Sequence, residues 1–494
     1  MNFEFTFGKT SSPPTPETPF RILILGDLDG RTSRNLTQPW SDRRPVPVDL
    51  DSLEPVLKRL HAEMQLGGSG PSPISLAVSE PDDFHPDRLY ERMELFTSLR
   101  ATRKRLLDPA TFAVAAAEVR AWGGPGPTAA PDVIPAAKPA PPAGSPARET
   151  DSNTLERLLG HAPAPSPVPS NVAAELIRKA VAPHIVAAPS ADRPVLLAAV
   201  DAAAAELMRG VLHDPAFQAL ESTWRGLDFL VHRLDLNESL TVSLLNLSRA
   251  ELLADLMSVE DLQQSALFRI LVEATVQSPG AEPWALVLGL YNFDQSAPDR
   301  DLLERLAKLA QAAGAPFVAA AGAALRQTVV QNPDQLMADK AWMSLRTCPA
   351  AASLGLIGPR FLLRLPYGRA TDAISAFDFE EITGQPVTGD YLWGNPALAL
   401  GVLLGQMFAE TGWDMCPGGS LELGDLPVHS WKAGTESQMT PCAEVWLKDA
   451  AAERLLEHGV MPLQSIQGKD ASRLARVQSF HQPLCALAGR WTDE

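Results

Sequence analysis

Residues 121–150 read AWGGPGPTAAPDVIPAAKPAPPAGSPARET, with eight prolines in thirty positions. Proline fixes φ and removes the backbone donor, so neither a helix nor a strand ladder continues through such a run. The composition is that of an extended linker. A second run, HAPAPSPVPS, covers 161–170. The linker region 121–170 therefore parts a front segment, 20–120, from a long rear segment, 171–494. Between the two proline runs lies the island SNTLERLLG, 152–160. Ser152 or Asn153 suits an N-cap and Gly160 a C-cap. Leu155, Leu158 and Leu159 fall on one helical face. A helix this short is marginal alone in water, so the island reads as a peptide that folds on a partner.

The chain begins MNFEFTFGK. Phe3, Phe5 and Phe7 alternate with Glu4 and Thr6, which is the period of a strand with one apolar face. Pro13, Pro14, Pro16 and Pro19 follow, so residues 1–19 read as a strand on an extended tether with no hairpin partner beside it. In the front segment, FRILILGDLDG is a buried strand entering a Gly-Asp turn. RPVPVDL is a Pro-interrupted edge strand. SLEPVLKRLHAEM is an amphipathic helix. PISLAVSEPDDFHPDRLYERMELFTSLRATRKRLLDP is a strand, a turn and a long helix.

The rear segment alternates strands with helices. HDPAFQALESTWRGLDFLV places Phe217, Leu220, Trp224, Leu227 and Val231 on one helical face. SLTVSLLNLS, WALVLGLYNF and PFVAAAG read as strands. AELLADLM, SALFRILVEATV and LLERLAKLAQAAGA read as helices. The expected class is α/β (α+β): mixed sheets covered by helices.

The 42 Lys and Arg against 59 Asp and Glu give a net charge of −17. That disfavours non-specific binding to nucleic acid or anionic membrane, both of which need a basic face. No secretory signal and no run of about 18 uncharged apolar residues is present, so a cytoplasmic chain without membrane insertion is expected. Cys348, Cys416, Cys442 and Cys485 lie far apart with no paired Cys/His spacing, so no metal site is expected.

Asp27, Asp29 and Asp294 sit just past buried strands, where open α/β sheets bind ligands. Asp and Gly also favour such turns for their own geometry. Asp378, Glu380 and Glu381 could hold an acid/base pair or form a solvated acidic face. CPGGS (416–420) is not followed by the GKS or GKT of a phosphate loop, and neither GxSxG nor HExxH occurs. Nothing converges as an enzyme requires, so no catalytic residue and no cofactor is assigned. Arg225, Arg360 and Arg364 lie among apolar residues, which implies carboxylate partners within a subunit or between subunits. Trp224 reads as core, and Arg225 as a candidate bridge between the two halves.

HDPAFQALESTWRGLDFLV, LYNFDQSAPDRDLLERLAKLAQAAGAPFVAAA, IGPRFLLRLPYG, YLWGNPALAL, LPVH and TPCAEVWLKDAAAERLLEHGVMPL resemble, in order, the large (TssC/VipB-like) subunit of the type VI secretion contractile sheath over roughly 200–480. FRILILGDLDG, DRRPVPVDLDSLEPVLKRL and FHPDRLYERMELFTSLRATRKRLLDP resemble the small (TssB/VipA-like) subunit over roughly 1–110. The resemblance implies both sheath subunits fused through the Pro/Ala linker. It implies a structural protein that oligomerises with itself or other sheath subunits around an inner tube. It further implies strand donation by Phe3, Phe5 and Phe7. It also implies an AAA+ disassembly ATPase gripping a helix placed where Leu155, Leu158 and Leu159 lie. The family's large subunit continues beyond the block aligned with VQSFHQP into strands that pair with neighbours, whereas this sequence ends at Glu494. Three readings follow: a divergent fused sheath protein, a capping or baseplate-associated accessory, and a decayed paralogue.

Overall fold

The computed structural model describes residues 14–40, 43–67, 74–122 and 193–491. The strand expected at Phe3, Phe5 and Phe7 and the island helix with Leu155, Leu158 and Leu159 lie outside the described residues.

The front strands are β1 (Phe20–Gly26), β2 (Val46–Val48), β3 (Ala62–Leu66) and β4 (Ile74–Val78). The rear strands are β5 (Leu240–Asn246), β6 (Leu286–Phe293), β7 (Phe317–Ala321), β8 (Leu354–Gly358), β9 (Phe361–Leu362), β10 (Trp393–Gly394), β11 (Leu421–Leu423), β12 (Ser430–Ala433), β13 (Glu436–Met439), β14 (Val460–Ser465) and β15 (Ser472–Leu474). The helices used below are α1 (Leu53–Leu60), α2 (Pro86–Arg92), α3 (Thr97–Leu107), α4 (Phe112–Trp122), α5 (Arg193–Leu212), α6 (Pro215–Arg233), α7 (Arg249–Met257), α8 (Ala297–Ala313) and α9 (Ala323–Gln331). They end with α10 (Pro396–Thr411) and α11 (Asp449–Glu457). The described residues fall into two compact units. One runs to Arg92 and resumes at Met208; the other is Met93–Leu207.

The larger unit is built on a nine-stranded mixed sheet in the order β11-β15-β14-β8-β7-β6-β1-β5-β2. The expected α/β class is what forms. The decisive strand is β1. It lies parallel between β5 and β6, with Phe20 opposite Leu240, Gly26 opposite Asn246 and Ile22 opposite Leu286. Ile22, Leu23, Ile24 and Leu25 are all fully buried, as a central parallel strand covered on both faces requires. The front segment thus places its principal strand in the middle of the rear segment's sheet. β2 closes one edge antiparallel to β5, and Pro47 sits at its centre, as the edge reading expected.

Helices cover both faces. α7 and α8 bury Leu252, Leu256, Leu302, Leu303 and Leu306 in one core with Leu23, Leu25, Leu245 and Val287. On the other face, α6 and α10 approach closely. A methyl group at Gly401 would stand 2.6 Å from Leu288 Cδ1, so a larger residue there would force the Leu288 side chain to shift. Asp214 caps α6 by accepting from the Ala216 and Phe217 amides, with Pro215 in the first turn. α8 ends at Gly314, φ 63°.

Two expectations need correction. The helix expected over 52–64 ends at Leu60, and His61 is left-handed (φ 49°). Ala62, Met64 and Leu66 are buried in alternation with Glu63 and Gln65, so the period-two pattern makes β3, which pairs with β4. The long helix expected after His85 is broken at Met93, which is extended.

The smaller unit joins α3 and α4 to the first turns of α5. Arg103 pairs with Asp201 at 2.7 Å, and the Arg193 guanidinium lies over the Phe112 ring at 5.1 Å. Trp122 and Arg193, the described residues on either side of the linker, therefore belong to one unit.

Candidate functional site

The turn after β1 meets the rear segment through buried charge. The Arg31 side chain, 2% exposed, donates to Asp29 at 2.8 Å and to Glu251 on α7 at 3.0 Å. Arg43 donates to Glu251 at 3.0 Å. Glu251 also accepts from the Gln38 and Ser248 amides, the latter completing a capping box with Ser248. Burial alone would raise the Glu251 carboxyl, but Arg43, the two amides and Arg31 outweigh it and hold it at about 2.

Trp224 reinforces this junction from the opposite face. Its ring is 2% exposed, and its indole N–H donates to the Leu28 carbonyl at 2.9 Å. It is core, as expected, and it also ties α6 to the front segment. Arg225, read as the candidate bridge, does otherwise. Its Nε donates to Glu221 at 2.7 Å and its Nη2 to the Tyr367 hydroxyl at 2.9 Å, both in the rear segment. The i,i+4 spacing of Glu221 and Arg225 brings the pair together on one face of α6. Arg364 completes the cluster with Glu221 at 2.9 Å and Glu381 at 2.7 Å, its guanidinium 4.3 Å over the Tyr367 ring. Burial raises and Arg364 lowers the Glu381 carboxyl; the net position is about 2. Burial pushes the Tyr367 hydroxyl up to about 12 against the pull of the two arginines. Arg360 pairs with Glu444 at 2.7 Å, which Arg326 also reaches at 3.0 Å.

The acidic stretch 378–381 divides. Asp378 is exposed and paired with Arg369, as a solvated face implies. Glu381 is 2% exposed, so that description fails for it.

Asp27 and Asp294 both line a cleft of about 790 Å³ beyond the ends of β1 and β6. Asp27 accepts from the Arg31 and Thr32 amides at 3.1 and 2.8 Å. Asp294 accepts from Leu325 at the start of α9 at 2.8 Å. Both carboxylates do turn and cap work. Among the described residues no group of three His, Cys, Asp or Glu is placed to hold a metal ion. No described helix is long and apolar enough to cross a membrane.

Sequence reasoning missed the Arg31–Glu251 pair and a further tie at α2. There Asp87 accepts from the Ser375 and Ala376 amides at 3.0 and 2.9 Å. Nothing local marks partners separated by 220 or 288 positions.

Residues 195–481 match the family model described as EvpB/VC_A0108, tail sheath N-terminal domain. Residues 2–118 match the model described as Type VI secretion system, VipA, VC_A0107 or Hcp2. Over 306 residues the chain is 33% identical to the type VI secretion system sheath protein TssC1 of Pseudomonas aeruginosa. That alignment takes in 58% of this chain and 61% of the relative.

Proposed function

The chain belongs to the type VI secretion tail sheath family, and from that premise we propose that it is a structural protomer of a contractile sheath, carrying both subunit types in one polypeptide. The observation that carries this reading is β1 seated between β5 and β6. Front and rear segments complete one sheet. A covalent linker turns their pairing into an intramolecular event, at an effective concentration of roughly millimolar, and fixes one-to-one stoichiometry. The buried ionic clusters then hold the protomer rigid, as a mechanical part needs, and no reaction is assigned to it.

The partners follow from the same reading. Phe3, Phe5 and Phe7 donate a strand to a neighbouring protomer through main-chain bonds and alternate side-chain sites. An inner tube and a baseplate are further partners, and Leu155, Leu158 and Leu159 face an AAA+ ATPase, all in the cytoplasm. Negative-stain imaging of the purified chain, alone and mixed with standard sheath subunits, tests the assembly. Tubes support the protomer reading. Decoration of sheath ends without elongation supports the capping accessory, and monomers that ignore sheath subunits refute both. Phe5→Asp should abolish co-sedimentation with sheath subunits; unchanged co-sedimentation rejects strand donation. Leu158→Asp should abolish ATPase pull-down, and an indifferent pull-down reduces the island to linker.

A further inference from the structure

β9 and β10 pair with each other, yet residues 363–392 run between them with one 3₁₀ turn, Thr388–Asp390, as their only helical or strand element. Connections longer than about 12–15 residues without secondary structure of their own usually carry a function. Within this one, residues 367–381 close on themselves. The Glu381 amide donates to the Tyr367 carbonyl at 2.8 Å, and the Glu381 carboxylate accepts from the Tyr367 amide at 2.8 Å. These two bonds make a neck, and the chain between them is an Ω-loop. Arg364 fixes the neck to α6, pairing with Glu381 at 2.7 Å and Glu221 at 2.9 Å. Every hydrogen bond and ion pair named here is supplied by the rear segment, so the neck forms without the front segment.

The tip is held differently. Asp87, in the first turn of α2, accepts from the Ser375 amide at 3.0 Å, the Ser375 hydroxyl at 2.9 Å and the Ala376 amide at 2.9 Å. Among the described residues no other group hydrogen-bonds residues 373–377. Burial raises the Asp87 carboxyl, but the Ser375 and Ala376 donors outweigh it and hold it below its ordinary value. The Phe377 ring is buried 4.9 Å from the ring of Tyr90, also on α2, while Ser375 stays exposed. A loop rooted in the rear segment therefore meets the front segment through one carboxylate and one aromatic pair.

We propose that residues 367–381 are a latch that closes over α2 once β1 has entered the sheet, and that holds the front segment in its seat. The tip's donors meet no protein acceptor until Asp87 arrives, so closure follows docking. The front segment leaves only after the tip has let go of Asp87, so the latch sets how often β1 is released. The proposal stands on contacts inside the protein and does not depend on the sheath reading.

Hydrogen exchange read by mass spectrometry on the full-length chain tests it. Asp87→Ala should speed exchange by about tenfold or more in the loop tip, in α2 and in β1, while β7 exchanges as in wild type. Ser375→Ala removes one donor from the exposed tip and leaves α2 untouched, so it should speed the same three regions by about threefold. Faster exchange confined to the tip overturns the proposal, because the contact is then local and retains nothing. Faster exchange in β7 as well as β1 overturns it too, since the whole fold has then been weakened. An effect of Asp87→Ala on β1 that Ser375→Ala does not share assigns the change to the start of α2 and removes the latch.

Discussion

Replacing Glu251 by Gln removes the one negative charge shared by Arg31 and Arg43 while keeping size and hydrogen-bonding shape. The carboxylate sits at about 2 in the folded protein against an ordinary 4.5. A depression of that size corresponds to roughly 3 kcal/mol of folded-state preference at neutral pH. The independent expectation for stranding a buried arginine is about 3–5 kcal/mol. Because the folded value is lowered, this contribution is present in full above about pH 4.5. It fades as the pH falls toward 2. Urea denaturation of wild type and Glu251→Gln across pH 7 to 3, followed by tryptophan fluorescence, measures it. The variant should be less stable by about 3 kcal/mol at pH 7, and the gap should narrow below pH 4.5. Titration of Glu381 and other carboxylates cancels in that difference. A loss under about 1 kcal/mol at pH 7, or a gap that does not change with pH, would refute the argument that Glu251 locks the two segments.

Trp224→Ala should misfold, since truncating a buried Trp costs about 3–5 kcal/mol. Trp224→Phe keeps most of the packing and leaves the buried Leu28 carbonyl without its donor, so a milder loss of about 1–3 kcal/mol is expected in the same denaturation assay. Arg364→Ala should cost more than Arg360→Ala. Arg364 is nearly enclosed between two buried carboxylates, whereas the Arg360 side chain is 39% exposed and Glu444 keeps Arg326. Equal thermal shifts for the two variants would contradict that ranking.

How much of this was legible depends on the range of the signal. FRILILG reads as a buried strand because Ile22, Leu23, Ile24 and Leu25 run without a break, and the structure agrees. Its seat between β5 and β6 is not legible from pattern, because parallel neighbours more than 200 positions away leave no local mark. The helices α6 and α8 were legible, since their periodic apolar faces are local, and their ends at Asp214 and Gly314 carry ordinary capping residues. The boundary at His61 was misread because the helix period and the strand period share Leu60 and Ala62 as plausible apolar positions. Arginine partners were legible in kind and not in identity. Arg364 and Arg360 have carboxylates, as their apolar surroundings implied. Arg225 turns inward to Glu221 and Tyr367, and the tie to the front segment falls to Arg31 and Trp224.

The central claim is that front and rear form one sheet, so that the linker contributes covalent connection and not the fold. Cutting a specific protease site placed within 121–150, then running size-exclusion chromatography in 1 M salt (about a 3 Å screening length), tests it directly. Phe20, Ile22, Leu23, Ile24 and Leu25 are fully buried in the sheet, and each such side chain is worth about 1.5–3 kcal/mol. Salt does not screen that term, so the two fragments should co-elute as one species. Separation of the fragments into two peaks would contradict the account.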